Sequence, residues 1–197
     1  MTITLANTVA SSQVVLPNAL VKNINGNWIL GEMETDLTPG SLDAYIVARM
    51  GETNPDPGAG NKKIIDSNEP WQAEVYWLLV GSLNPFLCGK FGVRLYLETL
   101  GKNDIDTEFN CDQGLIDFTP SASGFSLYHA TFTLKGGEVK PEHLGTPFQP
   151  VVTVTVLTSF MRGPGLDPKD DRSYYTGPIT GFVPFPITEF LKEEIEI

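Results

Sequence analysis

Apolar and polar residues alternate along several stretches of the chain, and this period of two is typical of strands with one buried and one wet face. The alternation is clearest over residues 91–98, 126–134 and 151–161. Residues 71–80 are apolar on both faces after Glu74, which predicts a central strand. These four stretches predict the main strands of the fold.

Weaker patterns of the same kind predict further strands, for a total of about seven to nine. They cover residues 13–16, 27–32, 43–50 and 179–185. Helical periodicity is confined to residues 187–195, where Thr188 suits an N-cap, so we expect at most one short helix. Strands that follow one another without helices favour antiparallel pairing. We therefore predict an all-β antiparallel sandwich, jelly-roll or immunoglobulin-like, with a closed β-barrel as the alternative.

The chain has 197 residues, of which 41% are hydrophobic, and this is enough for one β domain with a substantial core. We therefore expect a single domain over residues 1–197. Two connections, residues 51–70 and 162–178, are longer than hairpin loops. Long loops in compact domains often carry function, so both are candidate sites.

The formal net charge is -11, and the 13 lysines and arginines are scattered apart from the pair Lys62–Lys63. Nucleic acids and anionic membranes require clustered basic residues, so neither is an expected partner. The residues before Lys22 lack the pattern of a signal peptide, and no apolar run is long enough to span a membrane. We expect an acidic, soluble and cytoplasmic protein, although the same features would suit a secreted one.

Catalytic signatures are missing from the sequence. It contains neither a Gly-x-Ser-x-Gly motif nor a P-loop, and its two histidines and two cysteines lack the spacing of a zinc or iron site. No cofactor is expected and no catalytic residue is assigned, which favours a protein that is not an enzyme. Cys88 and Cys111 are expected to be buried thiols, and a bridge between them stays open as an alternative.

Calcium requires only oxygen ligands, so acidic segments of the chain are candidate calcium sites. Acidic and amide side chains alternate from Asp104 to Asp112, but the glycine and the final glutamate of an EF-hand loop are missing. On a strand this alternation places the carboxylates on one solvated face. Asp167, Asp170 and Asp171 form a weak calcium candidate in the second long loop, and a solvated acidic loop is the alternative.

Aromatic and polar residues that could bind a partner occur at two places. Tyr174 and Tyr175 follow Arg172 in the second long loop, and such residues either anchor a ligand or cover the end of the sandwich. His129 lies on the polar face of its strand, which is the solvent face of a sandwich or the lumen of a barrel.

The segment Gly26–Asn27–Trp28 resembles the Gly-x-Trp motif of lipocalins. That resemblance implies a barrel that holds a small ligand and is closed at one end by Trp28. The alternative is that Trp28 is a core residue, like Trp71 and Trp77.

Together these features favour a non-enzymatic binding or assembly module that acts through loops or sheet edges, with a protein partner or with further copies of itself as a homo-oligomer. The alternative is a lipocalin-like small-ligand barrel, or an enzyme with an internal pocket.

Overall fold

The computed structural model describes residues 28–35, 41–52, 64–87, 89–100, 107–119, 122, 124–139, 144–158 and 175–191. These residues form twelve strands and one short 3₁₀ turn, Asn84–Phe86. The strands are β1 (Ile29–Leu30), β2 (Glu32–Thr35), β3 (Asp43–Glu52), β4 (Ile64–Asp66), β5 (Trp71–Val80), β6 (Lys90–Thr99), β7 (Thr107–Asn110), β8 (Ile116–Asp117), β9 (Phe125–Leu134), β10 (Pro147–Thr158), β11 (Tyr175–Pro184) and β12 (Thr188–Leu191).

The strands form two sheets that pack against each other. Sheet A has the order β1-β3-β5-β9 and is antiparallel throughout. In sheet B, β10 lies between β6 on one side and β11 and β12 on the other, while β7 and β8 pair with β6. The short strands β2 and β4 pair with β11 and β12 respectively. The predicted antiparallel sandwich is confirmed, and the alternative of a closed barrel is wrong.

Gly31 lets the chain cross from one sheet to the other. β1 before it belongs to sheet A and β2 after it belongs to sheet B. A β-carbon at Gly31 would collide with the carbonyl oxygen of Phe182 and with the side chain of Val183. The N–H of Gly31 still donates to the carbonyl of Ile46 at 3.0 Å, so the crossing remains tied to sheet A.

The core lies between the sheets and is filled by the alternate residues that the sequence pattern predicts to be apolar. A ring cluster joins the two sheets: Trp77 lies 5.1 Å from Phe91 and 5.4 Å from Tyr128, measured between ring centroids. Phe91 and Tyr128 are 4.8 Å apart. Full burial of one such apolar side chain contributes roughly 1.5–3 kcal/mol, so the aromatic cluster is a major source of stability.

Two segments differ from the sequence pattern. Thr188–Leu191 forms β12 rather than the start of a helix, because it pairs with β10 and, in parallel, with β4. Phe190 on this strand is fully buried. β4, with Ile65 fully buried, lies inside the segment 51–70, which the sequence pattern predicts to be a loop. In both cases the pairing partner is distant in sequence, and local periodicity does not report it.

Candidate binding surface

Among the described strands, β9 pairs with β5 alone, so its other side forms a free edge of sheet A. The hydrogen bonds of Thr131 show which residues of β9 direct their backbone groups away from β5. Its N–H donates to Oε1 of Gln113 at 3.0 Å, and its carbonyl accepts from the N–H of Asp112 at 2.8 Å. Residues alternate in direction along an antiparallel strand, so the odd-numbered residues of β9 direct their N–H and C=O groups away from β5.

The second half of this edge is closed by a group of four side chains, which we call the edge clamp: Asp112, Gln113, Thr131 and Thr133. The Asp112 carboxylate accepts hydrogen bonds from the Thr133 N–H at 3.0 Å, the Thr133 hydroxyl at 2.7 Å and the Thr131 hydroxyl at 3.0 Å. The amide of Gln113 donates to the Thr131 hydroxyl oxygen at 2.8 Å. Another chain therefore cannot pair with this half of β9.

The hydrogen bonds of the clamp change the acidity of Asp112. Partial desolvation of the carboxyl group favours its neutral form, but the hydrogen bonds from Thr133 and Thr131 outweigh this effect. The pKa of Asp112 is consequently lowered below its ordinary value. The clamp is strongest when Asp112 is ionised.

The first half of the edge is open. The backbone N–H and C=O groups of Leu127 and His129 point away from β5, as those of Thr131 do. Among the described residues, no hydrogen bond is made by the N–H groups of Leu127 and His129. The side chains of Phe125 and His129 are exposed as well. An unpaired strand edge is a template for a further strand.

The outer face of sheet A beside this open edge is apolar over much of its area. Val47 and Leu78 lie at its centre and are fully buried, although they face away from the main core. Half-buried apolar residues surround them: Leu30, Tyr45, Tyr76, Val80 and Leu127. A sheet face that is directed to solvent usually carries polar residues, so this apolar face is unusual for the outside of a sandwich.

A row of rings crosses this face and ends at the open edge. Tyr76 stacks on His129 with ring centroids 4.2 Å apart, and its other neighbour is Trp28 at 5.4 Å. The guanidinium of Arg49 lies 4.9 Å from the Trp28 ring and 2.9 Å from the carboxylate of Glu74. Cation–π and ion-pair contacts of this kind order the side chains of the face.

The row of rings shifts two pKa values. Partial burial lowers the pKa of His129, and the charge of Glu74 opposes this effect while that of Arg49 adds to it. Burial and then Glu74 raise the pKa of Tyr76. Both rings are therefore neutral near pH 7, and the imidazole can donate one hydrogen bond and accept another.

The structure brings together two residues that the sequence singled out, since Trp28 and His129 both contact Tyr76. Trp28 is buried, but it packs on the outer face of sheet A rather than in the core with Trp71 and Trp77. The lipocalin resemblance implies a place at the end of a closed barrel, and this is wrong because the two sheets form a sandwich. Local sequence patterns do not point to Arg49 or Tyr76, because the roles of both residues depend on cross-strand register.

The remaining candidates lie in or near the second long loop. Arg172, Tyr174 and the three aspartates Asp167, Asp170 and Asp171 lie outside the described residues. Tyr175 is the first residue of β11, where it pairs with Thr158. The sequence predicts a loop over residues 162–178, but the last four of these residues form the start of β11.

Within the part of the chain that is described, no group of three or more His, Cys, Asp and Glu residues is placed to hold a metal ion. Cys111 is a free, buried thiol that donates to the carbonyl of Gly114 at 3.1 Å. It belongs to the core between the sheets, whereas His129 lies on the outside of sheet A. These two residues therefore do not form a catalytic dyad.

No protein-family model matches this chain, and no curated protein matches its sequence. Among the described residues, no helix has the length and apolar character needed to cross a membrane.

Proposed function

We propose that this domain is a non-enzymatic binding or assembly module that receives an extended strand of a protein partner along the open edge of β9. The observation that carries the proposal is the division of one strand edge into two halves. The edge clamp occupies the outward N–H groups of Thr131 and Thr133 and, through the Asp112 N–H, the carbonyl of Thr131, whereas no hydrogen bond among the described residues reaches the N–H groups of Leu127 and His129.

The geometry limits the length of the added strand. The open half runs from Phe125 to His129 and ends where the clamp begins at Thr131. At about 3.4 Å per residue this half extends for roughly 17 Å, enough for a partner strand of about five residues. Main-chain hydrogen bonds supply affinity in this mode of recognition, and the side chains beside the edge supply selectivity.

The side chains beside the edge favour a partner strand with apolar residues on one face. Phe125, Leu127 and His129 project toward the outer face of sheet A, where Leu127 packs against the buried Leu78. Alternate side chains of an added strand would extend this apolar face by one row. The partner is a strand of another protein or of a second copy of this chain.

The proposal is tested by a proline at His129. His129→Pro removes a backbone N–H that makes no hydrogen bond within the described part of the chain, and proline is tolerated on edge strands for this reason. His129→Ala is the matched control, because it removes the same imidazole and keeps the N–H. We would measure mass by light scattering after size exclusion, and binding to a displayed library of seven-residue peptides.

We expect native protein and His129→Ala to form a defined oligomer or to enrich a strand-forming peptide, and His129→Pro to lose this association while remaining folded by circular dichroism. Equal association of the proline and alanine variants would contradict the proposal. So would a native protein that is monomeric and enriches no peptide.

The alternative of an internal ligand pocket has weaker support. It required His129 to line a cavity, but His129 is exposed on the outer face of sheet A and stacks on Tyr76. Between the sheets, the space around Trp77 is occupied by the packed rings of Phe91 and Tyr128.

A further inference from the structure

A cleft of about 330 Å³ lies on the outer face of sheet B, on the opposite side of the sandwich from the apolar face of sheet A. Its lining comes from β6, β10, the last residue of β7 and the segment that follows β7. The lining residues include Gly92, Asn110, Leu115, Thr153, Thr155 and Leu157. Its volume is at the lower end of the range of small-molecule sites.

The cleft exists because a glycine replaces a side chain in the middle of the sheet. Gly92 is paired with Thr155, and Arg94 is paired with Thr153 on the neighbouring strand. Gly92 leaves the floor of the cleft open, while Leu157 and Leu115 provide apolar walls. A β-carbon at Gly92 would lie 3.2 Å from Cδ1 of Leu157, so a side chain there would enter the cleft rather than the core.

The polar groups of the cleft are available for a ligand. Among the described residues, no hydrogen bond is made by the hydroxyls of Thr153 and Thr155 or by the side-chain amide of Asn110. Each hydroxyl can both donate and accept a hydrogen bond, and the amide has a donor and an acceptor side by side.

The charge of the cleft is balanced. Arg94 forms an ion pair with Glu108 at 2.8 Å, and a hydrogen bond with Tyr96 raises the pKa of Arg94. The pair presents donors and an acceptor with no net charge. With a net charge of -11, the protein as a whole disfavours an anionic ligand, and the paired arginine does not offset this.

We propose that this cleft binds a neutral polyhydroxylated ligand, a single sugar unit that is either free or terminal in a glycan. Ring hydroxyls match the mixed donors and acceptors of Asn110, Thr153 and Thr155. The C–H face of the sugar packs over Gly92 and against the leucine walls. The site is independent of the β9 edge, since it lies on the other sheet.

Saturation-transfer NMR tests the site with the methyl glycosides of glucose, galactose, mannose and N-acetylglucosamine. An array of immobilised neutral glycans shows whether the ligand is a free sugar or the terminal sugar of a glycan. Gly92→Val fills the floor of the cleft. Thr153→Val and Thr155→Val remove the hydroxyls without changing side-chain size. Thr180→Val is the matched control, because Thr180 lies opposite Thr155 on the same face but outside the cleft.

We expect saturation transfer to at least one sugar or binding to at least one glycan. Affinity should fall roughly 2- to 12-fold for each threonine variant, which corresponds to the loss of one hydrogen bond. Thr180→Val should bind as the native protein does, and Gly92→Val should lose binding. The proposal is overturned if the native protein binds none of these sugars, or if the double Thr153→Val, Thr155→Val variant binds as tightly as Thr180→Val.

Discussion

The carboxylate of Asp112 is the centre of the edge clamp, and its removal should measurably destabilise the fold. Asp112→Ala deletes three hydrogen bonds, two with Thr133 and one with Thr131, and leaves the backbone bond from residue 112 to Thr131 in place. A hydrogen bond to a charged group contributes about 1.5–3 kcal/mol when it is shielded from water. The clamp is exposed, so water and salt reduce this value, and we expect a total loss of roughly 1–2 kcal/mol.

Urea unfolding followed by tryptophan fluorescence measures the loss at pH 7. With a denaturant slope of about 2 kcal/mol/M, the midpoint should fall by roughly 0.5–1 M. Asp117→Ala is the matched control, because Asp117 lies five residues further along the chain, on β8, and makes a surface ion pair with Lys90 at 2.8 Å. An exposed pair of this kind contributes at most about 1 kcal/mol, so the control should shift the midpoint less.

The stabilisation of the fold by the Asp112 carboxylate also depends on pH. The pKa of Asp112 is lower in the folded protein than its ordinary value of 3.8, so the folded state favours the ionised form. The stabilisation is therefore complete above pH 3.8 and is lost as the pH falls through the lower folded value. The stability difference between native protein and Asp112→Ala should narrow below pH 3.8. The reasoning is refuted if Asp112→Ala loses no more stability than Asp117→Ala at pH 7. It is also refuted if the stability difference between native protein and Asp112→Ala is unchanged in acid.

Three further predictions concern the crossing between the sheets, the buried thiol and the stacked imidazole. Gly31→Ala should lower the free energy of unfolding by about 1–3 kcal/mol in a urea titration, because its β-carbon collides with the backbone of β11; a variant as stable as the native protein would contradict this. Burial raises the pKa of the Cys111 thiol, so in a Cys88→Ser background we expect slow reaction with a disulfide reagent in the folded protein and fast reaction in urea. Partial burial lowers the pKa of His129, so an NMR titration should give a value below 6.5 and a still lower one in Glu74→Gln; a rise in that variant would contradict the assigned role of the carboxylate.

The strands β5, β6 and β9 could be predicted from the sequence because each has ten residues in which apolar side chains recur at every second position. Residues 71–80, 91–98 and 126–134 lie in β5, β6 and β9 with the expected faces inward. The sequence pattern does not resolve strands of two to four residues from their surroundings, since a period of two cannot be recognised over so short a length. β4 and β12 are examples: each is defined by its pairing with the other rather than by its own pattern.

The candidate surfaces were harder to predict because they depend on cross-strand register. The sequence places Thr131 and Thr133 on a polar strand face, and it places Asp112 at the end of an alternating acidic segment. Nothing local to either segment indicates that they meet, since they lie 19 and 21 residues apart. The cleft likewise requires that Gly92 be paired with Thr155, more than sixty residues away in the chain.

The charge of the protein bears on which partner the open edge of β9 would take. Two copies with a net charge of -11 each repel one another, and this repulsion is screened as the ionic strength rises. Pairing between copies should therefore strengthen with added salt, because salt removes the repulsion but leaves main-chain hydrogen bonds and apolar contacts in place. A basic strand from a different protein should bind more weakly in the same titration, because salt screens its attraction to the acidic domain. The direction of the salt dependence thus separates self-association from recognition of a different protein, and at low salt the charge favours the second.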